Sequence, residues 1–155
     1  MQIQLWCIGK TSEKYLQQGI DIYTKRLSHY CKFKLEVIKD VKPQKSNEAL
    51  KQLEAEQVMK YLLPTDYLML LDEKDKEYSS EDFAAALGHM QLRSIKRVVF
   101  VVAGAYGAHE TLIKRADQKL SLSQMTFSHQ MIRLFFTEQL YRAYTILRNE
   151  KYHNS

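Results

Sequence analysis

The sequence predicts an α/β fold with a mostly parallel sheet flanked by helices, on three observations. Two runs, Ile3 to Ile8 and the segment RVVFVV at 97–102, are almost wholly apolar, as strands covered on both faces must be. Stretches with helical spacing alternate with these and other short strand-like runs, which is the pattern of βαβ crossovers. At 155 residues the chain suits a single domain over 1–155, large enough to bury roughly two-thirds of its unfolded surface.

Taken in order, Ile3 to Ile8 reads as a central or near-central strand that Gly9 ends. From Ser12, a candidate cap, the period changes. Tyr15, Leu16, Gly19, Ile20, Tyr23 and Leu27 recur at helical spacing, with Lys14, Gln17, Asp21 and Lys25 between them. Phe33, Leu35 and Val37 then alternate with Lys32, Lys34 and Glu36, the two-residue period of an outer strand with one wet face. Lys39 to Ser46 is the least structured stretch, because Pro43 removes a ladder donor and Lys39, Lys42 and Lys45 repel one another. It reads as a connector, with a mobile loop over a site as the alternative. Ser46 or Asn47 caps a second helix with Leu50, Leu53, Val58, Tyr61 and Leu62 turned inward, and Pro64 halts it.

A third strand, Tyr67 to Leu71, leads into the charged loop Asp72 to Lys76. Ser79 or Ser80 then caps a helix whose first turn holds Glu81 and Asp82, acids that suit the positive end of the helix dipole. After RVVFVV come the small residues Ala103-Gly104-Ala105-Tyr106-Gly107, a helix from about His109 to Ala116, and a short strand from Leu120 to Ser123. The last helix spans Ser128 to Arg148.

Hydrophobic residues make up 45% and charged residues 26%, the balance of a folded globule rather than a disordered or fibrous chain. No apolar run approaches the roughly 20 residues that cross a bilayer, so no membrane partner is expected. The opening MQIQLWCIGK lacks the basic start and small-residue cleavage site of a signal peptide, and a cytoplasmic location is the expectation. Cys7 and Cys31 form no disulfide or metal framework, in keeping with a reducing compartment. His29, His89 and His109 lack the spacing of a metal site, so no metal is expected. A formal charge of +5 and a pI near 9.1 favour a polyanionic partner, because Lys and Arg gain by displacing counterions from phosphates. A solvated basic surface explains the same charge.

In open α/β sheets ligands bind beyond the carboxyl ends of the strands, which directs attention to the loops after Leu71, Val102 and Ser123. The Ala103–Gly107 loop suits close approach of a ligand to backbone, although a plain glycine turn fits it as well and it lacks the GxGxxG pattern. In Leu122, Ser123, Gln124, Met125, Thr126 and Phe127 the strand stops before the helix begins, leaving backbone groups that can read an adenine edge. Ser123, Thr126 and Ser128 also fit plain turn and cap roles. The final helix carries apolar residues on nearly every side, so part of its surface is expected to meet a second subunit. Glu138 and Arg142 are placed to pair across one turn. His129 and Arg133 are likewise one turn apart and are expected to face the cavity beside the preceding loop. Tyr152 and His153 lie in a tail that either frays or folds over a bound base.

The segment LSLSQMTFSHQMIRLFFTEQLYRAYTILRNEKYH at 120–153 resembles, nearly residue for residue, the C-terminal signature of the ribosomal RNA large subunit methyltransferase H family of the SPOUT class. IQLWCIGK and the Ile20–Leu27 region with Tyr23 and Arg26 resemble that family's first strand and first helix. The resemblance implies a C-terminal trefoil knot, a homodimer, and methylation of N3 of a pseudouridine in a hairpin loop of large-subunit ribosomal RNA on the assembled ribosome. It implies that S-adenosylmethionine touches Leu71, Ala103 and Leu122 through Phe127, with Gly104 and Gly107 shaping the pocket. It also implies that His129, Arg133, Arg142, Tyr152 and His153 surround the substrate. Family members often have Gly-Gly where this chain has Ala103-Gly104, a methyl group that the backbone there tolerates.

Chemically, His129 or His153 is expected to accept the N3 proton or orient a water, and Arg133 or Arg142 to steady the oxyanion that develops on a flanking carbonyl. Lys25, Arg26, Lys32, Lys34, Lys42 and Lys45 offer phosphate contacts. Two rivals stand beside this reading: a SPOUT methyltransferase acting on transfer RNA, and a ribosome-associated nucleotide-binding factor without catalysis.

Overall fold

The structure, a computed structural model, describes residues 1–154. Its strands are β1 (Gln2–Ile8), β2 (Lys32–Ile38), β3 (Tyr67–Leu71), β4 (Arg97–Val102) and β5 (Gln118–Leu120). Its helices are α1 (Lys14–Leu27), α2 (Asn47–Tyr61), α3 (Ser80–Leu92), α4 (Glu110–Arg115) and α5 (Met131–Leu147). The five strands make one sheet in the order β2-β1-β4-β3-β5, and every pairing is parallel. β1 and β4 are thus the inner strands their sequences require, and β2 is an edge with its lysines in water.

Alternation sends β-strand side chains to two separate cores. Ile3, Leu5, Cys7, Met69, Leu71, Val98, Phe100 and Val102 face α1, α3 and α5. Trp6, Ile8, Leu68, Leu70, Val99 and Val101 face α2 and α4. Each fully buried large side chain contributes about 1.5–3 kcal/mol relative to exposure, so the sheet is held from both sides. On the first face Phe83 of α3 and Phe136 of α5 close around Phe100, with centroids 6.0 and 4.6 Å from it.

Several boundaries differ from the sequence reading. Ser12 does not cap α1; Glu13 occupies the cap position without a side-chain bond. Ser46 and Ser79 do cap α2 and α3, each accepting an N–H three residues on. Tyr61, expected inward, is 58% exposed at the last residue of α2. The last strand is Gln118–Leu120 rather than Leu120–Ser123, because β3, its neighbour in the sheet, ends at Leu71 and the chain beyond keeps only an isolated bridge from Ser121 to Glu77. α5 begins at Met131 rather than Ser128, although Ser128 Oγ accepts the Met131 N–H at 3.1 Å.

Candidate functional site

Strand order creates the site. β4, β3 and β5 are neighbours, and Leu71 lies level with Val102 on one side and Leu120 on the other. The loops that follow these strands therefore emerge side by side, although they are far apart in sequence. Leu71, Ala103 and the start of the 122–127 segment are brought together. The loop after β3 is tied to the chain after β5 by main-chain bonds from Asp72 N to Leu120 O, 3.0 Å, and from Ser121 N to Lys76 O, 3.1 Å. The Ser121 hydroxyl donates to Ser123 O at 2.9 Å, which sets the direction in which the segment leaves.

Within 122–127, Ser123 Oγ accepts the Met125 N–H at 3.0 Å, so Ser123 does serve its own turn. The N–H groups of Leu122, Gln124, Thr126 and Phe127 donate to nothing among the described residues. Met125 is 74% exposed, and Phe127 is 37% exposed and packs its ring 4.8 Å from that of Phe135. Bare backbone beside apolar side chains is the lining that a flat heteroaromatic ring requires, hydrogen-bonded at its edge and covered on its face.

In the loop after β4, Gly104 and Gly107 close a tight turn, with Gly107 N donating to Gly104 O at 3.0 Å. Gly107 has φ +87°, a conformation that favours glycine, and nothing stands within 4 Å of where a Cβ would lie. Behind the turn, α2 brings the Glu54 carboxylate so close to Gly104 that a Cβ there would meet Oε2 at 2.5 Å. Burial, and secondarily the nearby Asp40 charge, raise the Glu54 carboxyl above its ordinary value.

The structure corrects the expectation for Arg133. Its side chain is fully buried, and it points to the end of β1 rather than into an open cavity. Its guanidinium donates to Ile8 O and Gly9 O, each at 2.9 Å, to Thr11 Oγ1 at 3.1 Å and to His129 O at 3.2 Å. His129 is half-buried at the same place. Burial and then the Arg133 charge lower its imidazole pKa, with Asp40 acting in the opposite sense, so the ring is neutral near pH 7.

Arg142, Tyr152 and His153 form a second group, where the tail folds back over α5. Arg142 donates to Glu138 at 2.6 Å, and its guanidinium lies 4.7 Å from the centre of the Tyr152 ring. The Tyr152 hydroxyl donates to Glu138 at 3.0 Å and sits 3.3 Å from the Tyr23 hydroxyl of α1. Burial, these hydrogen bonds and the Glu138 charge push the phenol pKa upward, so Tyr152 stays protonated. His153 places Nε2 2.6 Å from Glu81 Oε1 and Nδ1 3.4 Å from an Arg142 nitrogen. The tail is therefore docked rather than frayed.

Glu81 belongs to the first turn of α3, and α3 starts at the same sheet edge as the backbone segment, directly after the loop that follows β3. The two groups share that edge, yet no hydrogen bond or ring contact joins them among the described residues. Sequence reasoning took Glu81 for a helix-dipole residue and gave Tyr23 no role in the tail. No local spacing links them to residues 72 and 129 positions away. Among the described residues no group of three or more His, Cys, Asp or Glu is placed to hold a metal, and no helix is long and apolar enough to cross a membrane.

Comparison with known proteins shows the family. A family profile described as Predicted SPOUT methyltransferase matches residues 1–153. The ribosomal RNA large subunit methyltransferase H of Christiangramia forsetii is 50% identical, with 99% of each chain covered. That of Flavobacterium johnsoniae is 53% identical and that of Parabacteroides distasonis 51%, again over 99% of both chains. A profile match that runs from the first residue to the docked tail, with relatives about half identical along their whole length, places this chain in the SPOUT methyltransferase family.

Proposed function

We propose that this chain is a single-domain, S-adenosylmethionine-dependent methyltransferase that modifies N3 of a pseudouridine in a large-subunit ribosomal RNA hairpin loop, acting in the cytoplasm as a homodimer on the assembled ribosome. The observation that carries this is the 122–127 segment, whose free N–H groups lie beside the ends of β3 and β4 in a chain about half identical to ribosomal RNA large subunit methyltransferases H. The trefoil knot belongs to the same proposal. It is supported by the path of the chain, which leaves β5 at one edge of the sheet and reaches the end of β1 on the far side of β3 and β4 by Arg133.

The residues fit the donor. Unbonded main-chain groups at 122, 124, 126 and 127 suit an adenine edge, Met125 and Phe127 suit its faces, and the missing Cβ at Gly107 leaves room for approach. The donor supplies a methyl group already activated on a sulfonium. The protein is left to align acceptor and donor at roughly 3–3.5 Å, exclude water and move one proton. In pseudouridine that proton lies on N3 between two carbonyls. Arg142 is the cation available to the developing oxyanion, because Arg133 is fully buried and four of its five guanidinium N–H groups already donate within the fold. His129, held neutral, and His153 are the two candidate proton acceptors, and Tyr152 is placed to stack on the base.

A second subunit is favoured by the apolar surface that α1 and α5 leave open. Tyr15 and Ile22 are 61% and 53% exposed, Leu147 is 40% exposed, and Phe135 and Leu134 are only partly covered. The partner would also bring a docked tail to the other copy's backbone segment. Lys25, Arg26, Lys32, Lys34, Lys42 and Lys45 are all exposed and within reach of phosphates, although Lys34 is paired with Glu36 and Arg26 lies over the Tyr23 and Tyr141 rings.

The test is incubation of unmodified ribosomes with isotopically labelled S-adenosylmethionine, followed by mass spectrometry of the ribosomal RNA. Label on one pseudouridine of the large-subunit RNA, with little on a short naked hairpin, is expected. Label on transfer RNA alone would replace this reading with the transfer RNA one. Calorimetry that detects no S-adenosylmethionine binding would replace it with a non-catalytic factor, and a single sedimenting monomer would remove the dimer.

A further inference from the structure

His153 is held by two elements other than its own tail. Glu81 reaches it from the first turn of α3, with Oε1 2.6 Å from Nε2. Arg142 reaches it from α5, 3.4 Å from Nδ1. An arginine has only N–H donors, so the nitrogen facing Arg142 is the one that carries a lone pair, and the nitrogen facing the carboxylate is the one that carries hydrogen. The two contacts therefore select a single neutral tautomer, with hydrogen on Nε2. Glu138 completes the arrangement by fixing Arg142 at 2.6 Å and Tyr152 at 3.0 Å.

We propose that Glu81 is a positioning residue for the methyl transfer, one that acts through His153 by orienting its imidazole and steadying the charge it acquires. This rests on the function proposed above. When a pseudouridine carbonyl draws the Arg142 N–H away, Nδ1 becomes free to accept hydrogen. The N3 proton passes to Nδ1, and the nitrogen electron pair forms the new N–C bond as the C–S bond breaks and its pair stays on sulfur. His153 is left as an imidazolium between Glu81 and the product, and it returns its proton to water after release. A carboxylate on the far nitrogen of a histidine base does this work by orientation and by charge, and itself stays ionised. Consistent with such a partnership, hydrogen bonding to His153 lowers the Glu81 carboxyl below its ordinary value.

The test compares Glu81→Ala, Glu81→Gln, His153→Ala and the Glu81→Ala/His153→Ala double variant as full-length protein on ribosomes. Glu81→Ala should lower kcat roughly 10- to 100-fold, less than the ~10²–10⁴ that a whole acid–base group supplies. Its affinity for S-adenosylmethionine, measured by calorimetry, should not change. Glu81→Gln keeps an acceptor for Nε2–H but no charge, and it should recover part of the loss. In the His153→Ala background Glu81→Ala should have no further effect. Nitrogen-detected NMR of His153 should show hydrogen on Nε2 in the parent protein and a mixture of tautomers in Glu81→Ala. A kcat for Glu81→Ala within twofold of the parent, an equal loss without His153, or hydrogen on Nδ1 in the parent would each overturn the proposal. A parent protein that methylates no ribosome instead refutes the function proposed above, and the NMR measurement still decides the pairing.

Discussion

Arg133 donates from its guanidinium to the carbonyl of Ile8 at 2.9 Å, which ties the first turn of α5 to the last residue of β1. The same side chain takes up Gly9 O and Thr11 Oγ1, so the start of the long helix is pinned over the end of an inner strand. Removal of the guanidinium strands buried carbonyls that water reaches poorly, at about 1–3 kcal/mol each, and leaves a cavity. Arg133→Ala should therefore lose at least ~3 kcal/mol in urea unfolding, and Arg133→Lys about half of that. Unfolding curves that coincide with the parent's would show that the side chain is free for another task.

How much of this was legible in the sequence depends on range. β1 and β4 were readable because doubly covered strands need unbroken apolar runs, and Ser46 and Ser79 because a cap bonds only three residues on. The backbone segment was readable as a gap between strand and helix. That its neighbours are Leu71 and Ala103 follows from β4 inserting between β1 and β3, and no local pattern records that. Arg133 misled for a related reason, since a charge one turn from a histidine is expected to share its cavity until β1 is seen beneath it. The partner of His153 lies 72 residues away on another helix and was out of reach altogether.

Asp66 should set the acid limit of stability. Its side chain is only 2% exposed, accepts Arg97 Nε at 2.7 Å and the Leu63 N–H at 2.7 Å, and is paired with a second Arg97 nitrogen. Burial acts to raise this carboxyl, but the Arg97 hydrogen bond, the Leu63 N–H and the charges of Arg97 and Arg115 outweigh it and hold the carboxyl below its ordinary value. The folded state then binds fewer protons than the unfolded one, whose carboxyl titrates near about 3.9, so this stabilisation is complete above pH ~4 and fades as pH falls through the folded value. Asp66→Asn should cost about 2–4 kcal/mol at pH 7 and progressively less below pH ~4. A gap between the two proteins that widens with acid would contradict the sign.

The two thiols should be inert while the chain is folded. Burial pushes Cys7 up to about 12 against the opposing charge of Arg133. Burial likewise pushes Cys31 up to about 11, against a hydrogen bond with Tyr144 and the charge of the amino terminus. Thiolate is the reactive form, so alkylation at pH 8 should run at least ~100-fold slower than for a free thiol and become complete only in denaturant. Rapid labelling of native Cys31 would mean that its contact with Tyr144 of α5 opens readily.

Gly107 offers the cleanest separation of backbone conformation from side-chain crowding at the proposed donor site. At φ +87° an added Cβ has open space around it, so Gly107→Ala introduces strain and no clash. A non-glycine residue held there costs about 1–2 kcal/mol, and the turn can release that strain in the free protein by giving up the single bond from Gly107 N to Gly104 O. Global unfolding should consequently move little. If donor binding requires the turn as it stands, the strain returns on binding and the Kd for S-adenosylmethionine should weaken about 5- to 30-fold. Gly107→Asn should bind more tightly than Gly107→Ala despite its larger side chain, because Asn enters positive φ more readily. Calorimetry that ranks the two by size, with Asn weaker than Ala, would show that space, not conformation, is what this glycine provides.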